Sequence, residues 1–323
     1  MRQHGDAARS TMAPVKSRHL LQLVLLSALW GASFLFIRVA SPVLGPNVMA
    51  ALRIGLGTLT LMAIMRYAGL RWPWPHWRGL LGLGAISVAA PFLLYSWAAL
   101  HLPAGYSSLL NTMAVPFGVL AAAWMKEDTL SLRKVLGCVC GFAGVALIVR
   151  LGPVAPTPAL LMAALACVAA AACYGVSTSW MKRATQKMPP LAVAAGIHAA
   201  ALLLLAPGAA WTWQDARFTP VALACVAVMG VLTSGLAYWL NLRVLTQVSP
   251  VAAMSSAFMI PLFGVVWGHV FLGEALGPGL LWGGTLVLVA TALVTGFNPL
   301  RGWFIRSNSS SSRSSSAASG SEK

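Results

Sequence analysis

Three long apolar stretches constrain this chain more than any other feature. Leu20 to Ile37, Leu151 to Met181 and Phe218 to Leu242 contain no Asp, Glu, Lys or Arg. Each reaches the roughly 18 to 20 residues that an α-helix needs to cross the hydrocarbon core of a bilayer. In hydrocarbon every backbone N–H and C=O must find a partner inside the protein, and a helix supplies those partners within one segment. With 59% hydrophobic and only 9% charged residues, against about 25% charged in soluble domains, the chain lacks the polar surface to cover a water-soluble core. The expectation is an all-α membrane protein.

Cutting the apolar runs at charges, prolines and turn residues gives ten segments: 20–40, 47–65, 79–99, 104–125, 134–150, 159–181, 189–206, 219–242, 249–272 and 279–297. The short turns HLPAG (101–105) and TQVSP (246–250) divide the most closely spaced pairs, because Pro and Gly there favour a hairpin over one long helix. Basic residues then set the orientation. With the N-terminus inside, Arg2, Arg9, Lys16 and Arg18, Arg66, Arg71 and Arg78, Lys126, Arg133 and Lys134, and Lys182, Arg183 and Lys187 all fall on the cytoplasmic side, whereas Arg150 and Arg217 fall outside. This asymmetry predicts an integral protein of a bacterial-type inner membrane with both termini in the cytoplasm.

Residues 1–19 read as a cytoplasmic N-terminal tail, and the Ser-rich 299–323 as a disordered cytoplasmic tail. The net charge of +16 invites a nucleic-acid reading. The basic residues, however, lie in short clusters between apolar runs, as orientation signals do, so no nucleic-acid partner is expected. Cys138, Cys140, Cys167, Cys173 and Cys225 sit inside apolar runs without CxxC spacing, which predicts no disulfide framework, metal or cofactor.

The chain also repeats itself. MAVPFGVLAAAWMKE (113–127) is echoed by MIPLFGVVWGHVFLGE (259–274), the proline returning 145 positions later, from 116 to 261. LWGASF (29–34) is answered by CYGVST (173–178), which pairs Trp30 with Tyr174, Gly31 with Gly175 and Ser33 with Ser177. Tyr95 pairs with Tyr238, and KVLG (134–137) with LLWG (280–283). The halves are residues 20–150 and 151–298. Five crossings in the first half make the second enter from the opposite face, so the repeats are inverted. Inverted repeats are a recurrent plan of secondary transporters, since two equivalent halves around a midplane site can open alternately to each side. Glu127 follows its proline by eleven positions and Glu274 by thirteen, so the two acids are not assigned one role.

The 5+5 layout, WGASF in the first span and a Pro-containing span ending near Glu in both halves resemble the EamA-like branch of the drug/metabolite transporter superfamily. The resemblance covers residues 20–297. It implies ten transmembrane helices as two inverted five-helix repeats, and a family of exporters and permeases for amino acids, other metabolites and toxic compounds. It implies a small-molecule substrate without naming it. The expected function is an alternating-access carrier exporting a small amphipathic metabolite such as an amino acid.

The candidate substrate-binding residues follow from polarity near the span centres. A proline inside a helix frees the carbonyl four residues earlier, here those of Thr112 and Ala257. Asn111 and Thr112 precede Pro116, and Ser255 and Ser256 precede Pro261. Either these face a shared cavity or they are kinks with polar residues as interhelical glue. Trp30, Ser33, Tyr95, Tyr174, Ser177 and Tyr238 offer aromatic walls and hydroxyls to a substrate, with packing as the alternative. Pro91 is a third candidate kink. Arg53 either snorkels outward or binds a carboxylate. His198 and His269 either carry a proton or pack. Glycines 137, 141, 279 and 283 have the GxxxG spacing of close helix contacts, joining the two halves or two protomers of a homodimer.

All six acids lie in tails, loops or span ends, so a membrane-embedded carboxylate relay lacks its usual part. An intramembrane hydrolase would want a GxSG-like segment, HExxH or paired in-membrane acids, and the sequence holds none. No enzymatic activity is expected. A channel would need a continuous selective lining, whereas the polar residues here gather near the centre.

Overall fold

The computed structural model describes residues 17–127, 129–150, 157–245 and 250–295. Nearly all of the two expected tails lies outside these residues, as do most of the TQVSP turn and the side chains of Ser255 and Ser256.

The described residues form helical rods joined by short turns, with no strand among them. In chain order we label them α1 (Ser17–Leu44), α2 (Pro46–Tyr67), α3 (Trp74–Ala98), α4 (Ala104–Trp124), α5 (Leu132–Arg150), α6 (Pro158–Lys187), α7 (Pro190–Trp211), α8 (Pro220–Asn241), α9 (Pro250–Leu272) and α10 (Pro278–Thr295). Seven of the described helices are long and apolar enough to cross a membrane, and the apolar parts of α9 and α10 are shorter. Six rods begin at a proline: α2, α6, α7, α8, α9 and α10. Proline lacks an N–H that would be unpaired in the first turn anyway, and its fixed φ suits a helix start. Thr157 and Thr219 cap two of these starts, accepting from the amides of Leu160 (3.2 Å) and Ala222 (3.3 Å).

Several rods outrun the sequence reading. The first span runs through Pro42 to Leu44, and the sixth extends from an expected end at 181 to Lys187. Apolarity marks where hydrocarbon ends, but a helix continues past it while its turns remain capped.

The principal packing pairs are kept when each rod is exchanged for the one five later. α5 packs on α10 and α2 on α7, each pair its own counterpart. α1 packs on α9 as α6 packs on α4, and α3 packs on α6 as α8 packs on α1. Small residues set these crossings. A Cβ on Gly31 of α1 would fall 2.8 Å from the Ile260 carbonyl of α9, and one on Gly175 of α6 would fall 2.8 Å from the Ala114 carbonyl of α4. Gly144 and Gly283 face each other likewise across α5 and α10, where a Cβ on either would reach the other's carbonyl oxygen at under 3 Å. These glycines, with Gly137 against Val294, join the two halves of one chain. Any larger residue there would force the backbones apart at about 1–3 kcal/mol or more.

Two rods depart from α geometry at matching places. A π-helical turn occupies Ala85–Ala89 in α3 and Val228–Leu236 in α8. Such wide turns arise where one residue is inserted into a helix, and they cluster at functional sites. In α4 the turn before Pro116 tightens to a 3-10 turn at Asn111–Met113. Pro91 lies two residues past the π turn of α3 and is buried.

Candidate functional site

A cavity of ≈ 510 Å³ lies at the centre of the bundle, with walls from both repeats. α1 supplies Trp30 and Ser33, α3 Tyr95, α4 Asn111, α6 Tyr174 and Ser177, and α8 Tyr238. These seven are sequence candidates, and the fold brings them to one place. Tyr95 donates to Asn111 Oδ1 at 2.9 Å and stacks on Tyr174 with centroids 6.2 Å apart, while Phe34 meets its ring edge-on at 5.4 Å. Trp30 Nε1 donates to the Thr233 carbonyl at 3.2 Å, tying α1 to the wide turn of α8. The repeat thus yields an aromatic wall of three tyrosines and a tryptophan, from both halves.

Arg53 is the charged group of this cavity. It is 4% exposed and does not snorkel outward. Its Nε donates to Ser234 Oγ at 3.1 Å and one terminal nitrogen donates to Thr233 Oγ1 at 3.3 Å. Its guanidinium carbon sits 4.2 Å from the centre of the Phe92 ring. Among the described residues it faces no carboxylate. A guanidinium has five N–H donors, so two hydroxyl contacts leave others for a ligand. The wide turn of α8 presents both hydroxyls together, and sequence reasoning missed Thr233 and Ser234 because regular helical spacing would not aim both at α2. Ser87, Phe92 and Asn241 were missed too, although Ser87 lies on the matching wide turn of α3.

Other candidates whose side chains are described do not reach the cavity. Thr112 is buried with its hydroxyl donated to the Leu109 carbonyl at 2.6 Å. The 3-10 turn before Pro116 turns it from the lining, so of the residues before Pro116 Asn111 alone reaches the cavity, while the Ser255 and Ser256 side chains before Pro261 lie outside the described residues. His198 lies in the next layer, its ring edge-on to Tyr238 at 5.1 Å and its Nδ1 2.9 Å from the Ala194 carbonyl, with Nε2 buried and unpartnered. His269 is exposed at the far end of α9, its Nδ1 2.9 Å from the Glu274 carbonyl. Arg38 donates to the Ala99 carbonyl at the end of α3 and has a structural task. Pro116 and Pro261 sit where α4 and α9 cross their partners, and Ser108 of α4 donates to the Pro261 carbonyl at 3.4 Å.

A wider groove of ≈ 640 Å³ between α2 and α7 is lined mainly by Ala, Leu and Gly and holds no charged group. Its side-chain polar groups are those of Trp213 and Gln214 at one end. Among the described residues no group of His, Cys, Asp or Glu is placed to hold a metal ion.

A sequence model described as the EamA-like transporter family matches the chain twice, over residues 18–150 and 161–296. The chain is 26% identical over 280 residues to a probable terminal-alkyne amino-acid exporter of Streptantibioticus cattleyicolor, covering 86% of this chain and 93% of that one. It is 28% identical over 278 residues to the threonine/homoserine exporter RhtA of Escherichia coli, covering 82% and 86% respectively. A solved crystal structure superposes with a TM-score of 0.63 at 19% identity, covering 87% of this chain and 99% of the other. At that identity the likeness concerns the fold alone.

Proposed function

The chain belongs to the EamA-like transporter family, and on that premise we propose that it is an alternating-access carrier exporting a small amphipathic metabolite that bears a carboxylate. Amino acids are the simplest members of that class, and of the relatives one is named a probable terminal-alkyne amino-acid exporter and another a threonine/homoserine exporter. All ten rods cross the membrane in this reading, the second five in the opposite sense to the first, with both chain ends in the cytoplasm.

One observation carries the substrate class: a buried arginine, held by two hydroxyls and facing the cavity, meets no carboxylate from the described protein. An unpaired charge in a low-dielectric site is costly. A ligand carboxylate accepting two parallel N–H bonds from the guanidinium restores that cost, with a geometry lysine cannot copy. Trp30, Tyr95, Tyr174 and Tyr238 take the apolar part, and their ring faces suit an ammonium through cation–π attraction. Asn111 supplies an amide for a further polar group. No acid among the described residues lines the cavity, so transport is uncoupled, or coupled through a histidine or the substrate's own protonation.

The test preloads cells overexpressing the protein with a panel of amino acids and carboxylate analogues and follows release of each. Losing a charge-assisted bond of about 1.5–3 kcal/mol predicts that Arg53→Gln slows release of the carried compound by about 10- to 100-fold, with Arg53→Lys intermediate. Asn111→Ala and Tyr238→Phe shift which compounds are carried. Release by Arg53→Gln at the parental rate, from protein that elutes normally in detergent, would reject Arg53 as the anchor. Unitary currents in a planar bilayer would reject a carrier altogether.

A further inference from the structure

A second recess lies apart from the central cavity, where the start of α3 splays from the end of α6. It encloses ≈ 550 Å³ between His76, Arg78 and Leu83 on one side and Trp180, Arg183 and Lys187 on the other. Its rim is cationic. Arg183 gives one guanidinium edge to Glu127 at 2.8 and 2.9 Å, while neither Arg78 nor Lys187 meets a carboxylate among the described residues. Its floor is apolar. Leu80 and Leu83 are buried beneath it, and Trp180 and the neighbouring Trp77 stand 40% and 54% exposed beside it.

We propose that this recess binds the headgroup of an anionic phospholipid from the adjacent leaflet. Arginine pairs with a phosphodiester through two parallel N–H bonds, and lysine adds a point charge. Indole rings at the rim suit the headgroup level of a bilayer. Basic recesses between helices at the membrane surface suit anionic headgroups. The leucine floor continues the site towards the acyl chains, which a free phosphate or a nucleotide would leave unused. This inference stands on the recess itself and holds whether or not Arg53 anchors the cargo.

The test uses the full chain in detergent. Native mass spectrometry counts retained lipid after addition of phosphatidylglycerol or phosphatidylcholine, and melting is followed with each lipid and with soluble glycerol 3-phosphate. Phosphatidylglycerol is expected to be retained at least 5-fold more than phosphatidylcholine and to raise the melting midpoint. Arg78→Gln/Lys187→Gln is expected to erase that preference, with Lys187→Gln alone giving a partial loss in protein of parental elution. Equal retention of the two lipids, retention unchanged in these variants, or the same midpoint rise from glycerol 3-phosphate alone would each overturn the proposal, the last by showing a free-phosphate site.

Discussion

The ends of α4 and α9 share one backbone design and reach opposite outcomes. Each closes on a residue in the left-handed region, Lys126 at φ 58° and Gly273 at φ 63°. A glutamate follows each. Glu274 turns onto the start of α4 in the other repeat, its two oxygens accepting the amides of Ala104 (2.6 Å) and Gly105 (2.9 Å). Gly268 makes room for it, since a Cβ there would lie 2.4 Å from the carboxylate. Glu127 pairs instead with Arg183 of α6 through a side chain, in a more open place. Its symmetric target, the start of α9, begins at Pro250 and lacks an N–H at its first position. A repeat passes on a backbone path more faithfully than the partners met along it.

The largest effect is expected at Gly268→Val. The new methyls collide with the Glu274 carboxylate and break both amide bonds, a loss of about 3 kcal/mol or more from overpacking and lost capping together, seen as a collapsed melting transition in detergent. Glu274→Ala keeps the packing and uncaps α4, for about 1–2 kcal/mol. Hydrogen exchange should then rise at Ala104 and Gly105, and unchanged exchange there would mean the acid is not their essential partner. Lys126→Gly tests the other end: removing a side chain from the left-handed region relieves about 1–2 kcal/mol, partly offset by glycine's extra freedom in the unfolded chain. A net gain under about 1 kcal/mol is expected, and a loss would break the likeness of the two turns.

Glu127→Gln should change the melting midpoint least, because exposed pairs contribute little. Its signature is a pH dependence. Hydrogen bonds from Ser179 and Arg183 hold the Glu127 carboxyl below its ordinary value. Such a group contributes stability above its unfolded pKa of about 4.3 and loses it as pH falls through the lowered folded value. Parent and variant should therefore differ slightly at neutral pH and converge in acid.

Much of this arrangement was readable in the residues. Tyr95, Tyr174, Tyr238 and Trp30 met in one cavity because each sits at the same depth in its repeat, and depth is a sequence property. Helix starts were marked by proline. Arg53 was ambiguous because sequence gives distance along a helix but not which side faces a neighbour. Thr233 and Ser234 were hidden by the wide turn of α8, and Thr112 was misplaced by the tight turn before Pro116. These three come from local departures from 3.6-residue geometry, on which periodic reading depends, whereas Phe92 and Asn241 were missed in regular helix. Gly137 and Gly283 had the right spacing in sequence, but only packing decided that they fasten one chain's halves and added Gly144 to the same contact.

The wide turn in α3 has a consequence for the residues beyond it. An α-helix advances about 100° per residue, and a turn widened to take in one extra residue spreads nearly the same rotation over more of the chain. Winding the same residues as an unbroken α-helix would swing Tyr95 by roughly that angle, away from Asn111 and Tyr174 and towards the lipid or a neighbouring rod. The width of one turn thus decides whether the tyrosine wall is complete.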